Sequence, residues 1–311
     1  MKVVVTGGAG FIGANLVHHL LRTGSVEEVT VVDDFSTGSE QNLKGAEGAH
    51  AIDASILDED ALSDAVRDAD AVVHLAAQPS VPMSLEDPKG THEINSTGTL
   101  AVLEAARRAG GLHVVAASSS AVYGSSPVLP KTESMAPVCL SPYASSKLGL
   151  EAHLCAYSEG FGLPVLPFRF FNVFGPLQPP GHAYAAVVPA FVDAALSGRP
   201  LTIYGDGLQT RDFVSVGSVV DLLTQAILRR VTSSTPVNLA FGSRRTLLDL
   251  VAELEGVLGR DLEVRHEATR PGDVRHSQAD DSRLRELFPD SKPVPFAQGL
   301  AETVDWFRAY R

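Results

Sequence analysis

Two groups of residues in this chain have the types and spacing to do chemistry. The first is the N-terminal run V-V-V-T-G-G-A-G-F-I-G, which sets Gly7, Gly10 and Gly13 between a valine-rich run and an amphipathic stretch. At a strand-to-helix junction the first glycine permits a tight turn. The middle ones let backbone N–H groups approach a pyrophosphate at the helix N-terminus, and the last allows close helix–strand packing. Twenty residues past Gly13 the next apolar run ends in Asp33, placed to accept hydrogen bonds from an adenosine ribose. A carboxylate there repels a 2′-phosphate, and Asp34 adds a second charge with no arginine adjacent, so NAD is expected over NADP. Asp53, closing a third strand, is a candidate for the adenine edge; an exposed loop carboxylate is the alternative reading. The second group is Tyr143 and Lys147, four residues apart and therefore on one face of a helix. An ammonium beside a phenol favours the phenolate, as does a positive nicotinamide ring. Both lower a reference pKa of about 10 toward working pH and make the phenol a general base. Taken alone, the pair also fits an ordinary helix surface.

The elements that must position these groups alternate along the first half of the chain. Val3–Thr6, Val29–Val32, Ala71–Ala76, Leu112–Ala117 and Val165–Arg169 read as strands, apolar throughout as strands buried on both faces of a parallel sheet are. Phe11–Arg22, Asp58–Arg67, Thr91–Ala109 and Tyr143–Gly160 carry helical periodicity. This alternation predicts an α/β fold with a doubly wound parallel sheet. The texture changes after Phe170, where Pro176, Pro179, Pro180 and Gly181 crowd into a loop. Helical stretches then follow at Tyr184–Ser197, Val219–Arg229, Leu247–Leu258 and Phe296–Tyr310, with strands at Leu201–Tyr204 and Leu262–Arg265. They are read as a smaller C-terminal α/β portion closing over the first.

Composition narrows the classes. With 311 residues, 44% of them hydrophobic, the chain is long enough for one large domain or two and is not disordered. A net charge of −12 argues against a nucleic-acid surface, although a local basic site for one anion stays open. No membrane span or signal peptide is expected, and the two cysteines, Cys139 and Cys155, lack metal-ligand spacing, so a cytoplasmic location is expected. His18 and His19 point about 100° apart on a helix, and no metal site is expected.

The spacing Gly-x-x-Gly-x-x-Gly together with Tyr143-Ala-Ser-Ser-Lys147 resembles the extended short-chain dehydrogenase/reductase family, in its NAD-dependent nucleotide-sugar epimerase and dehydratase branch. The resemblance covers essentially the whole chain. It rests also on HLAAQ (74–78), SSSAVYG (118–124), RFFNVFGP (169–176), IYGDGLQTRDFV (203–214) and RPGDVRHSQAD (270–280). It implies a Rossmann-like NAD-binding domain over 1–170 that also receives segments near 213–240, and a nucleotide-sugar-binding portion over 171–311. It implies Ser119, four residues before the Tyr of V-Y-G, as the third catalytic residue, hydrogen-bonding the reacting hydroxyl and Tyr143. Around the cofactor it adds Phe11 and Ile12 in the glycine turn, and Ser36, Thr37 and Gly38 after Asp34. It further adds Ala54, the run Leu75, Ala76 and Ala77, then Asn95, Ser118 and Phe171. For the sugar nucleotide it implies Arg211 and Arg270 as diphosphate clamps, since arginine offers bidentate donors to phosphate. Asp273 would meet the ribose, Val187 and Tyr204 the base, and Asn172 the phosphate or sugar near the nicotinamide. A homodimer paired through helices near 91–109 and 143–160 is implied as well, although core burial explains the same apolar faces.

Departures from subfamily patterns select among reactions. Relatives that dehydrate carry Asp-Glu directly after the catalytic Ser/Thr, where this chain has Ser120 and Ala121. Glucuronate-acting relatives place Thr at the position of Asn172 and arginine after the G-P turn, where this chain continues Leu177-Gln178-Pro179. The expectation is therefore 4-epimerisation of a UDP-hexose, UDP-glucose or UDP-galactose. Ser277 stands where relatives restricted to non-acetylated hexoses place a bulky Tyr, so acetamido sugars are plausible substrates. A UDP-glucuronate 4-epimerase, a dehydratase or a reductase is the alternative, and a non-catalytic NAD or nucleotide-sugar sensor a remote one.

Overall fold

The structure is a computed structural model that describes residues 1–180, 186–269 and 274–310. Its centre is a seven-stranded sheet in the order β11-β6-β5-β4-β1-β2-β3. The strands are β1 Lys2–Thr6, β2 Glu28–Asp33, β3 Ala49–Asp53, β4 Ala71–His74, β5 His113–Ser119, β6 Val165–Phe170 and β11 Val237–Leu239. Every pairing is parallel. Because side chains alternate across a strand, Val3 and Val5 of β1 enter one buried cluster and Val4 the other. α1 (Phe11–Arg22) and α8 (Val216–Leu228) cover the first face through Leu16, Leu20, Val219 and Leu223. The second face carries α2 (Glu59–Val66), α5 (Gly98–Arg108) and α6 (Pro142–Phe161), through Leu62, Leu103, Leu150 and Leu154. Helices on both faces explain why the inner strands β1, β4 and β5 are buried in both registers.

The expected helix over Thr91–Ala109 is three pieces: α4 Pro88–His92, a π-helical turn over Glu93–Thr97, and α5. Before it comes α3, Val81–Glu86, which the periodicity does not reveal. A third buried cluster holds the C-terminal portion together, with Phe174, Phe191, Phe213, Leu250, Leu254 and Phe307 at its centre. Its helices are α7 Val187–Leu196, α9 Leu247–Leu258 and α10 Phe296–Tyr310; the start expected for α7 at Tyr184 lies outside the described residues. Short strand pairs complete this portion: β7 Asn172–Phe174 with β10 Phe213–Ser215, β9 Thr210–Arg211 with β12 Arg245–Thr246, and β8 Leu201–Tyr204 with β13 Val264–Glu267. Among the described residues no helix is long and apolar enough to cross a membrane.

Two histidines are folded into the sheet. His74 lies between the Thr6 hydroxyl (2.7 Å) and the Thr99 hydroxyl (3.1 Å), and burial, reinforced by the Lys147 charge, lowers its pKa to about 3. His113 lies against the Val231 carbonyl through Nε2, and burial lowers its pKa to about 4. Between these values and the unfolded value near 6.5 the unfolded chain binds more protons than the native one. The stability they contribute is therefore complete above about pH 6.5 and is lost as pH falls toward 4. A thermal-melt series over pH 7 to 4 should show that slope, and His113→Gln should make it shallower. A parallel decline in the variant would assign the slope to other groups.

Candidate active site

The strand order reverses between β1 and β4, because β2 and β3 continue to one side of β1 while β4 begins the other. Loops leaving such a pair at their C-terminal ends open a crevice. Here those loops are the glycine turn after β1 and Leu75–Ala77 after β4. They touch closely enough that a Cβ on Gly7, whose φ is +71°, would stand 2.6 Å from the Ala76 nitrogen. The crevice is a cavity of about 480 Å³. One side is formed by Gly7, Gly10, Phe11, Ile12 and Gly13, with Asp33, Asp34, Ser36 and Thr37 beyond them. Ala54 and Leu75, Ala76 and Ala77 form the opposite side. Ser118, Ser119, Tyr143, Lys147 and Phe171 close the inner end.

At the outer end, Asp33 accepts from the Ala9 N–H (2.8 Å) and the Phe35 N–H (2.9 Å). Burial raises its pKa, the two N–H groups pull it back, and Asp34 and Asp53 raise it again. A further negative charge is unwelcome in that setting, whereas ribose hydroxyls would relieve it by donating. The glycine turn supplies the space and N–H groups a pyrophosphate needs, so these residues fit an NAD molecule whose adenosine lies at Asp33.

At the inner end, α6 begins just before the residues it must present. Ser141 caps it by accepting from the Ala144 N–H, and Pro142 occupies its first turn. That start puts Tyr143 and Lys147 on successive turns facing the end of β5. The Lys147 ammonium donates to the Ala117 carbonyl at 2.8 Å and lies 6.0 Å from the centre of the Tyr143 ring. Burial lowers the Lys147 pKa to about 8. Burial raises the Tyr143 pKa, and the hydroxyl of Ser119 acts against that rise. The expected depression of the phenol is thus not intrinsic to the cavity: desolvation outweighs the Ser119 hydrogen bond that opposes it.

Three expected cofactor residues do not form the cavity wall. Gly38 packs on the glycine turn, where a Cβ would stand 2.9 Å from the Ala9 carbonyl carbon. Asp53 pairs in register with Asp33 on the neighbouring strand. Asn95, buried on the π-helical turn, accepts from the Gln78 N–H (2.8 Å) and donates to the Ser146 hydroxyl (2.9 Å). Sequence reasoning missed Ser55, Ile56, Gln78, Met83 and Gln178, which line the same cavity. Gln78 belongs to the H-L-A-A-Q motif and Gln178 follows the G-P turn, so both carried a signal. Among the described residues the buried Gln178 Oε1 has no hydrogen-bond partner.

The expected sugar-nucleotide residues gather on the C-terminal portion, outside that wall. The Asn172 backbone and side-chain nitrogens donate to the Asp212 carbonyl, at 3.2 and 3.4 Å. Asp212 is fully buried between Ser243 and the Ala279 N–H, and burial pushes its pKa up to about 6. Arg211 donates to the Thr210 carbonyl (3.0 Å), which also accepts from the Ser277 N–H (3.0 Å). Tyr204 ends β8 and Val187 opens α7. Arg270 and Asp273 lie outside the described residues.

A glycine turn and a Tyr–Lys helix opening onto one cavity at the switch point of this sheet are the marks of the extended short-chain dehydrogenase/reductase class. Residues 3–240 match the NAD dependent epimerase/dehydratase family, and the chain belongs to it. It is similar to a UDP-glucose 4-epimerase of Mycolicibacterium smegmatis, 38% identical over 99% of each chain. Among solved structures it is similar to the UDP-N-acetylglucosamine 4-epimerase from Methanobrevibacter ruminantium M1 in complex with UDP-N-acetylmuramic acid. That match has a TM-score of 0.94 at 37% identity, covering 100% of this chain and 99% of the other. A Thermus thermophilus UDP-glucose 4-epimerase in complex with NAD matches with a TM-score of 0.88 at 35% identity, covering 100% of both chains. The chain is accordingly an enzyme of this NAD-dependent family.

Proposed function

We propose that the protein interconverts a UDP-hexose and its C4 epimer, with UDP-glucose and UDP-galactose first and the acetamido sugars as further substrates. The observation that carries this is the cavity in which Ser119, Tyr143 and Lys147 face the dinucleotide turn. The short turn Ser120–Tyr123 beside them offers no carboxylate for eliminating water. Bound NAD supplies a hydride sink and source at the sugar carbon. Tyr143 takes the proton from the sugar O4 and later returns it, Ser119 holds that oxygen, and the Lys147 charge favours the phenolate between the two transfers. Turning the 4-keto sugar over requires a firm hold on the nucleotide and a loose one on the hexose. We assign the firm hold to Arg211, Arg270, Asp273, Tyr204 and Val187, with Asn172 and Ser277 bordering the hexose.

The same reading divides the chain into an NAD-binding portion, 1–170 with 213–240 returning to it, and a sugar-nucleotide portion, 171–311. The placement of β11 beside β6 and the separate aromatic cluster support that division. It also makes the protein a cytoplasmic homodimer paired through α5 and α6. Incubation with UDP-glucose, UDP-galactose, UDP-N-acetylglucosamine and UDP-glucuronate, followed by NMR of the products, tests the reaction. C4 epimers of the neutral sugars, with no net change in NADH, are expected. A stable 4-keto product, or turnover of UDP-glucuronate alone, would replace the proposal with a dehydratase or a glucuronate epimerase.

A further inference from the structure

Three consecutive residues at the end of β5 each hold one residue of α6. The Ala117 carbonyl holds Lys147 at 2.8 Å, the Ser118 hydroxyl donates to Glu151 Oε1 at 2.5 Å, and the Ser119 hydroxyl meets Tyr143. Tyr143, Lys147 and Glu151 recur every four residues, so they form one stripe along the helix. Glu151 is the member that touches no part of the cavity. Its carboxylate is forked by Arg169, Nε to Oε1 at 2.8 Å and Nη2 to Oε2 at 2.7 Å, with side chains only 6% and 3% exposed. Arg169 is the register partner of Ser118 on β6, so the fork and the serine grip Glu151 from adjacent strands. Behind the fork, the guanidinium lies 4.7 Å from the Tyr123 ring centre, and the Tyr123 hydroxyl donates to Asn238 Oδ1 at 2.6 Å on β11.

A buried ion pair is a weak way to stabilise a fold, since apolar residues of similar volume often do as well or better. The neighbouring contacts of α6, through Leu150 and Leu154, are apolar and tolerate a small slide or rotation. Three directed hydrogen bonds to one carboxylate do not. We infer that Glu151, gripped by Ser118 and Arg169, is a positioning residue that fixes the register of α6 on β5. Through that register it sets where Tyr143 and Lys147 stand. The inference rests on the proposed roles of those two residues. A displacement of the order of 1 Å at the reacting atoms is enough to lower a rate about a hundredfold.

The test compares the parent holoenzyme with Glu151→Leu/Arg169→Met and with Glu151→Gln, by thermal midpoint, kcat, KM and a phenolate absorbance titration of Tyr143. The titration is read as the difference from Tyr143→Phe in each background. The paired apolar variant is expected to melt no lower than the parent and to keep its KM. Its kcat should fall about a hundredfold, with an upward shift of the Tyr143 titration. Glu151→Gln, which keeps an acceptor for Ser118 and for Arg169 Nε, is expected to retain most of kcat. Parental kcat and titration in the paired variant would overturn the inference. So would a Glu151→Gln enzyme that loses as much as the pair, because charge rather than register would then matter. Should the paired variant not fold, Glu151→Gln decides alone: retention of most of kcat supports the inference, and a loss of about a hundredfold overturns it. If the parent turns over no UDP-sugar, the proposed reaction fails, and the Tyr143 titration alone decides whether Glu151 positions it.

Discussion

Tyr143→Phe is expected to lower kcat by roughly 10³-fold or more while leaving KM, NAD binding and the melting temperature close to the parent's. Among the described residues of the inner cavity, the phenol is the one group that the proposed reaction can use to exchange a proton with the sugar hydroxyl. Ser119 is a neutral partner, and Lys147 is committed to the Ala117 carbonyl at 2.8 Å. Burial holds the Tyr143 proton on, so the base is weak until positive charge gathers around it. The ring itself packs identically as Phe, and removing one buried hydroxyl changes stability by about 1 kcal/mol or less. The variant therefore separates chemistry from folding. Steady-state kinetics on UDP-galactose would check it, and activity within tenfold of the parent would remove Tyr143 from the role of base.

How much of this was legible beforehand depends on whether a residue's role is local. Gly7 needs φ of +71° and Tyr143 needs Lys147 one helical turn away, and both are short-range facts that spacing records. The Val-rich strands were legible because burial on both faces leaves mainly apolar runs, with few polar positions such as Thr6 and His74. The π-helical turn was not, because it depends on long-range bonds. Asn95 reaches Gln78 and Ser146, so the run E-I-N-S-T reads as plain helix until those partners are placed. β9 and β12 have two residues each, too few for any period, and their pairing joins segments far apart in the chain. Nothing in the sequence pairs Glu151 with Arg169, and only the parallel register of β5 on β6 brings them together. In the C-terminal portion, Arg211 and Ser277 were named by resemblance alone. Their neighbours around the Thr210 carbonyl come from segments about 65 residues apart, which no local pattern encodes.

Gly13→Ala is expected to yield a protein that no longer retains NAD, with its affinity reduced at least a hundredfold or about 2.7 kcal/mol. Backbone strain is not the reason, since Gly13 sits in the first turn of α1 in ordinary helical conformation. Space is the reason. A Cβ there would stand 2.1 Å from the Gly7 carbonyl oxygen and 2.7 Å from the Gly8 Cα. Both are backbone atoms of the turn that must cradle the pyrophosphate, so no side-chain rotation relieves the overlap. The helix must back away from β1, and its N-terminal N–H groups go with it, while the Gly10 N–H bond to the Gly7 carbonyl at 3.2 Å is broken or bent. Gly160→Ala is the matched control: that position is helical, and an added Cβ meets nothing within 4 Å. The control should keep NAD and gain about 0.5–1 kcal/mol of stability. Absorbance of the purified proteins and NAD titration by calorimetry read both outcomes. A Gly13→Ala protein that carries NAD as the parent does would show that the turn is structural and that the dinucleotide lies elsewhere.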